Sequence, residues 1–171
     1  PEQINLLRAI AQLVATAIHS AKLDASQRET QRLEQQVKMA ADVQKRMLPR
    51  ELPQIPPFQI AARYAPTFEL SGDFYDVLDL GGHVGVAVAD VAGKGVASSM
   101  LMASLGSSLR AYASNVYDID QIVSRINAQL TRDTLASEFA TLFFGVVDPK
   151  TRRFTYCNAG HEPPLLLRDG R

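Results

Sequence analysis

Residues 3 to 48 contain neither glycine nor proline, and the segment LPRELPQIPP at 48–57 then contains four prolines. Because proline stops a helix and glycine weakens one, this shift predicts a long helical arm followed by a compact domain. Apolar residues in the arm follow two heptad-like stripes: Ile4, Leu7, Ala11, Val14, Ile18 and Ala21, and then Leu33, Val37, Ala40, Gln44 and Met47. Such stripes are typical of helices that pack against a partner helix.

The two stripes do not share one frame, because the polar stretch DASQRETQR lies between them at 24–32. The arm is therefore predicted to be two helical segments, or one helix with a break in its frame. The stripes could pack on the chain's own domain, but stripes of this length need more apolar surface than a small domain offers. We expect the arm to pair with a second copy of the chain, which gives a homodimer.

The composition is that of an ordinary globular protein, with 46% hydrophobic and 21% charged residues. Eighteen basic residues balance eighteen acidic ones, so no net field favours nucleic acid or an anionic membrane. No apolar run approaches the roughly 20 residues that cross a bilayer, and the first residues lack a signal-peptide pattern. The single cysteine, Cys157, cannot form an internal disulfide. These features predict a cytoplasmic protein that does not bind membranes.

Beyond the prolines the apolar pattern changes to the alternation that is typical of strands. Strands are predicted at 58–66, 73–80, 83–91, 139–148, 153–159 and 163–170, and helices at about 95–114 and 118–135. Strands, then two helices, then strands again predict an α+β domain in which the helices pack on an antiparallel sheet.

Two aspartates are the best candidates for chemistry. Asp73 begins one predicted strand, and Asp90 ends its hairpin partner beyond the glycine turn at 81–82. If the strands pair about that turn, the two side chains lie opposite each other, with Cβ atoms about 4.5 to 5.5 Å apart. A divalent cation relieves such repulsion, and two carboxylates with the Val91 carbonyl would suit Mg²⁺ or Mn²⁺. The alternatives are that the aspartates cap turns, or that Asp90 pairs with Lys94.

Other polar residues have simpler interpretations. His161, in NAGHEPP, could be an acid or a ligand, but no second histidine or cysteine accompanies it at ligand spacing. Hydrogen bonds of Asn158 and His161 that order their loop are therefore favoured. Asp76 lies on the opposite face of its strand from Asp73 and is interpreted as a supporting residue. The AGKG turn at 92–95 could bind an anion, although glycines that permit a tight turn explain it more simply.

Three motifs in one order, SGDFYDV, VAVADVAGKGVASSMLMA and YCNAGHEPPLLL, resemble the bacterial metal-dependent protein phosphatases (PPM, type 2C-like) of the SpoIIE/RsbU type. The segment MAADVQKRMLP is similar to the end of the linker helix that enters that domain. The resemblance implies the last helix of a GAF-like sensor domain at 1–23 and a helical linker or coiled coil at 24–48. It implies the N-terminal portion of the phosphatase domain, an antiparallel β-sandwich with packed helices, at 49–171.

The same resemblance implies a serine/threonine phosphatase in sigma-factor partner switching, which acts on a phosphorylated anti-anti-sigma (STAS) protein. Of the two Mn²⁺ or Mg²⁺ ions of that family, Asp73 would bind one and Asp90 would bridge both, and the Val91 carbonyl would be a ligand that completes the coordination of the second ion. The family supplies further aspartates downstream, which Asp148 and Asp169 do not match. The chain is therefore expected to carry about half of the metal site and to be inactive by itself.

Two other functions stay open on the sequence. A non-catalytic signalling scaffold would use the arm to dimerise and the domain only to bind partners. A nucleotide or phosphate binder would use the AGKG turn.

Overall fold

The computed structural model describes residues 2–115 and 118–168, and the chain divides into two compact units, Pro1–Met39 and Ala40–Arg171. Helix α1 spans Glu2–Met47, so the arm is one helix rather than two segments. The polar stretch at 24–32 breaks the apolar frame but contains no helix breaker, and its glutamine, arginine and glutamate residues favour helix. A change of frame therefore does not interrupt the backbone.

In the first unit the apolar stripe of α1 is exposed to solvent. Leu7 is 66% exposed and Ile18 is 53% exposed. An 18-residue window of this helix reaches a mean hydropathy of 1.2, so by length and composition alone it could cross a membrane. This finding corrects the expectation that no apolar run comes near that length. One such helix is weak evidence for a membrane span, because helices of soluble proteins pass the same test.

The second unit is built on one antiparallel sheet. Its elements are β1 (Phe74–Asp79), β2 (Val84–Val91), α2 (Val96–Ala113), α3 (Ile119–Asp133), β3 (Ala140–Asp148) and β4 (Arg153–Ala159). The strands lie in the order β1-β2-β3-β4, each antiparallel to its neighbour. The α+β class with helices on an antiparallel sheet is confirmed, and the described residues supply one sheet layer of the expected sandwich.

Alternation along the strands turns one face of the sheet toward the helices. The buried core contains Phe74 of β1, Ala87, Ala89 and Val91 of β2, Leu142 and Phe144 of β3, Met102, Leu105 and Leu109 of α2, and Ile122 and Ile126 of α3. Burying each large apolar side chain contributes about 1.5 to 3 kcal/mol relative to leaving it exposed. At Gly106, α2 lies so close to the sheet that an added Cβ would come 2.7 Å from the Phe74 ring. Helix α2 therefore packs directly on β1 and β2, whereas α3 contacts β3 and β4.

Two predicted strands are wrong. Residues 58–66 and 163–168 form no ladder with any residue that the structure describes, and Leu165 is 93% exposed. An alternating apolar pattern favours an extended chain, but a strand also needs a neighbouring strand that pairs with its backbone groups. Positions 169 and 170, which end the last predicted strand and include Asp169, lie outside the described residues.

A buried ion pair joins the sheet to both α1 and α2. Asp76 lies on the core face of β1, only 3% exposed, and its Oδ2 accepts a hydrogen bond from Arg110 Nε at 2.7 Å. The same guanidinium donates from Nη2 to the carbonyl oxygen of Met47, the last residue of α1. Asp76 is thus a supporting residue, as the sequence predicts.

Replacing Asp76 with asparagine should lower the free energy of unfolding by about 1 to 3 kcal/mol, because Arg110 loses its charged partner. The decrease in the free energy of unfolding should be smaller than for a fully buried ion pair, because the Arg110 side chain is 38% exposed and water screens its charge. Urea denaturation measures the change. Asp79→Asn is the matched control on the same strand, where the side chain is exposed, and it should change stability by less than about 0.5 kcal/mol. Equal effects of the two substitutions would contradict this role of Asp76.

Candidate metal centre

The β1–β2 hairpin sets the position of the two candidate carboxylates. The register runs from Asp79↔Val84 to Phe74↔Ala89, as predicted from the glycine turn, and Asp73 and Asp90 form the next position of the same series. Because Ala89 is buried against the helices, the alternation turns Asp90 to the opposite face of the sheet. Asp73 and Asp90 are both exposed, and they lie at the same end of the hairpin.

The carboxyl group of Asp90 is affected by the charge of Asp73. Partial burial raises the pKa of Asp90, the negative charge of Asp73 raises it further, and His161 partly offsets both effects. The alternative in which Asp90 pairs with Lys94 is not present in the described part of the chain. The Lys94 ammonium instead lies over the Phe68 ring, 4.9 Å from its centroid. A carboxylate whose charge is disfavoured by a neighbouring carboxylate is stabilised by a divalent cation.

Hydrogen bonds hold Asp73 in place from the side of α1. Ser71 Oγ donates to Asp73 Oδ2 at 2.9 Å and accepts from the Asp73 backbone N–H at 3.1 Å. Gln44 holds Ser71 in turn: Nε2 donates to the Ser71 carbonyl at 2.6 Å, and Oε1 accepts from the Ser71 N–H at 3.2 Å. Sequence reasoning missed this pair of bonds. The sequence feature that could have indicated these bonds is Gln44, because it is a polar residue within an apolar stripe.

Gly72 brings the chain against the end of β2. Its carbonyl accepts a hydrogen bond from the Val91 N–H at 3.2 Å, and an added Cβ would overlap the Val91 carbonyl oxygen. Only glycine therefore fits between Ser71 and Asp73 without displacing that carbonyl. The close approach puts the Val91 carbonyl beside the residue that precedes Asp73.

The loop after β4 presents His161 beside Asp90. The Asn158 side chain accepts from the His161 N–H at 2.8 Å and donates to the His161 carbonyl at 3.0 Å. Thr141, the partner of Asp90 in the β2–β3 ladder, has its Oγ1 2.8 Å from His161 Nδ1. The predicted loop-ordering bonds are confirmed, and Thr141 is an additional residue that the sequence did not indicate.

Asp73, Asp90 and His161 line one cleft of about 670 Å³, whose wall is formed by residues 60–65. In that wall the Tyr64 hydroxyl is buried, and no described residue makes a hydrogen bond to it. Burial raises the pKa of Tyr64, the nearby Ser71 hydroxyl partly offsets this, and the charge of Asp73 raises the pKa further. A buried hydroxyl without a partner costs about 1 to 3 kcal/mol, so Tyr64 lowers the stability of this wall.

The donor set of this cleft fits a hard divalent cation. Carboxylates and backbone carbonyls are the ligands that Mg²⁺ and Mn²⁺ prefer. Asp73 and Asp90 line the cleft, and the Val91 carbonyl lies beside Gly72. Across residues 2–115 and 118–168, no three His, Cys, Asp or Glu side chains converge as a metal-binding group. These residues therefore offer two carboxylates to ions that take about six oxygen ligands.

A family model for stage II sporulation protein E (SpoIIE) matches residues 80–171, which is more than half of the chain. The chain belongs to the SpoIIE family. The matched range includes Asp90, Val91 and His161, whereas Asp73 lies before it. The resemblance that the three sequence motifs indicate is therefore confirmed.

Individual relatives agree with this membership. Protein IcfG from Synechocystis sp. is 33% identical to this chain, in a match that covers 73% of this chain and 24% of that protein. Phosphoserine phosphatase RsbU from Bacillus subtilis is 29% identical, in a match that covers 78% of this chain and 40% of that protein. The crystal structure of the RsbU and RsbW domains of Rv1364c from Mycobacterium tuberculosis matches with a TM-score of 0.52 and 31% identity, over 58% of this chain and 28% of that chain. The chain thus spans less than half the length of these SpoIIE-family relatives and neighbours.

Replacing Gly72 with alanine should weaken Mn²⁺ binding about tenfold or more, because the new Cβ displaces the Val91 carbonyl. Calorimetric titration with excess Mn²⁺ measures the affinity. Gly85→Ala is the control, since its Cβ would meet only side-chain atoms, the nearest being Leu80 Cδ1 at 3.1 Å. An unchanged Mn²⁺ affinity in folded Gly72→Ala protein would remove Val91 from the candidate site.

Proposed function

We propose that this chain is part of a metal-dependent phosphatase that removes phosphate from serine or threonine in a regulatory protein. The observation that carries the proposal is the pair Asp73 and Asp90, which line one cleft in a chain of the SpoIIE family. The relative RsbU is named a phosphoserine phosphatase, and this name supports the reaction class. The proposed substrate is a phosphorylated anti-anti-sigma (STAS) protein in sigma-factor partner switching.

Asp73, Asp90 and the Val91 carbonyl would hold two Mn²⁺ or Mg²⁺ ions, with Asp90 shared between them. Bound ions of this kind activate a water and neutralise phosphoryl oxygens, and phosphate-monoester hydrolysis is very slow without such help. Ser71 would keep the Asp73 carboxylate in one orientation through its 2.9 Å hydrogen bond. Gly72 leaves room for the Val91 carbonyl.

Activity is proposed for the full-length protein rather than for these 171 residues alone. Two carboxylates and a carbonyl leave most positions around two ions to water. We therefore expect weak metal binding and negligible hydrolysis from residues 1–171.

In the full-length protein, Asp90→Asn should lower Mn²⁺-dependent kcat by at least about 100-fold, because one shared ligand serves both ions. Turnover of p-nitrophenyl phosphate with Mn²⁺ measures this. Asp76→Asn is the matched control: it makes the same chemical change on the same hairpin but on the buried face, and it should reduce kcat far less at temperatures where it stays folded.

Two outcomes would count against the proposal. An active Asp90→Asn enzyme would refute the role of Asp90. A full-length wild-type protein that is inactive with Mn²⁺ would favour the non-catalytic scaffold.

We also propose the organisation that the sequence indicates. Residues 1–23 would close a GAF-like sensor domain, 24–48 would form the linker, and the phosphatase domain would begin at 49. The exposed apolar stripe between Ile4 and Ile18 supports a parallel homodimer, because it gives a partner helix an apolar surface. The protein would act in the cytoplasm, without nucleic acid or membrane as a partner.

Replacing both Val14 and Val37 with lysine should convert the dimer to a monomer, because each charge would be buried in the helical seam. Light scattering measures the mass. A matched control puts the same two lysines at Ser26 and Gln31, in the polar stretch, and should stay dimeric. If the unaltered chain is monomeric at high micromolar concentration, the dimer proposal is wrong.

Regulation would reach the site through the last turns of α1. Gln44 holds the backbone of Ser71, and Arg110 holds the carbonyl of Met47, so a shift of this helix end would move the residues that precede Asp73. Such control requires two arrangements with different contacts.

Deleting residues 1–23 from the full-length protein should change its Mn²⁺-dependent kcat several-fold, since the helix end would lose the arrangement that the sensor imposes. Steady-state assays compare the two proteins at equal dimer fraction. Unchanged kcat would make the arm a tether only.

A further inference from the structure

We propose that His161 donates the proton that the leaving oxygen requires during hydrolysis, an inference that rests on the proposed phosphatase function. Three hydrogen bonds hold this residue, two at its backbone and one at its imidazole. Asn158 binds both its backbone N–H and its carbonyl, and Thr141 Oγ1 lies 2.8 Å from Nδ1. The imidazole is therefore held in one orientation at the edge of the cleft.

The direction of these bonds leaves Nε2 for the substrate. Thr141 Oγ1 donates to the Asp90 carbonyl at 3.3 Å, so its lone pairs can accept a proton from His161 Nδ1. The ring lines the same cleft as Asp73 and Asp90, and no described residue bonds its Nε2. In the protonated imidazole both nitrogens carry hydrogen, so Nε2–H faces the position of a bound phosphate ester.

The other described residues in this cleft are poorer proton donors. Arg63 carries a guanidinium that does not release its proton in proteins. Burial raises the pKa of Tyr64, so its hydroxyl releases a proton less readily than an exposed tyrosine does. Histidine is the side chain that most often acts as a general acid in enzymes, so His161 is the proton donor that the described lining of the cleft offers.

The step balances as a simple displacement. A water oxygen forms a bond to phosphorus, and the bond between phosphorus and the ester oxygen breaks with its electron pair on that oxygen. His161 Nε2–H transfers its proton there, which gives the free alcohol, and the proton lost by the attacking water restores the imidazolium by way of solvent. No oxidant or further reactant is needed.

The test compares two substrates that differ in their need for a proton. p-Nitrophenolate leaves without one, whereas the phenolate of phenyl phosphate is a stronger base and benefits from protonation. In the full-length protein with Mn²⁺, His161→Gln should lower kcat on phenyl phosphate about 100-fold, with KM unchanged. On p-nitrophenyl phosphate it should lower kcat less than about threefold. His83→Gln, at the hairpin turn at the other end of the sheet, is the control and should change neither value.

Different results would overturn the proton-donor role of His161 and the phosphatase function on which it rests. Equal losses on both substrates, or no loss on either, would overturn the proton-donor role while the phosphatase function stands. Weaker Mn²⁺ binding by His161→Gln in calorimetry would also overturn it, because the residue would then act through the metal. Wild-type protein without Mn²⁺-dependent turnover of either substrate would remove the phosphatase function and this role together.

A second variant covers the case in which His161→Gln does not fold, as judged by thermal unfolding. Thr141→Val keeps the volume of the side chain and removes the oxygen that orients Nδ1. It should lower kcat on phenyl phosphate about tenfold and leave p-nitrophenyl phosphate nearly unchanged. Equal effects on the two substrates would overturn the role of His161.

Discussion

The contact between the Gly72 backbone and the end of β2 is the one on which the candidate site depends. Gly72 accepts a hydrogen bond from Val91 and leaves no space for a side chain. Its neighbours on either side extend this contact in two directions. Ser71 is held by Gln44 near the end of α1, and Asp73 carries the carboxylate that faces the cleft. Three consecutive residues thus connect a helix end, a strand end and a candidate ligand.

The carboxylates on the two faces of the β1–β2 hairpin have different surroundings. On the core face Asp76 is buried and satisfied by Arg110, so its charge is balanced within the fold. On the other face no lysine or arginine of the described residues pairs with Asp90, and the charge of Asp73 raises the pKa of Asp90 while His161 partly offsets this. The proposed divalent cation would balance the charge on this second face, as Arg110 does on the first.

Local sequence signals predict the helices, the paired strands and the alignment of Asp73 with Asp90. They do not predict the contacts between residues that are distant in the sequence. The register that aligns Asp73 with Asp90 follows from the glycine turn at 81–82, because turn length fixes hairpin pairing. The predicted strand at 58–66 is wrong because pairing depends on a neighbour that the local pattern does not contain. The bonds from Gln44 to Ser71 cross 27 residues, and His161 meets Thr141 across 20. Contacts of such separation are set by the packed fold, so single-sequence patterns could not predict them.

The central claim is that Asp73 and Asp90 bind divalent cations together. Crystals of the 171-residue chain soaked in excess Mn²⁺ test it most directly, through the anomalous scattering of manganese. The account predicts an anomalous peak between the Asp73 and Asp90 carboxylates, within about 2.0 to 2.6 Å of their oxygens and close to the Val91 carbonyl. A peak only at other acidic residues, such as Asp118 and Asp148 at the far end of the sheet, would contradict the claim, and so would an empty cleft at saturating Mn²⁺.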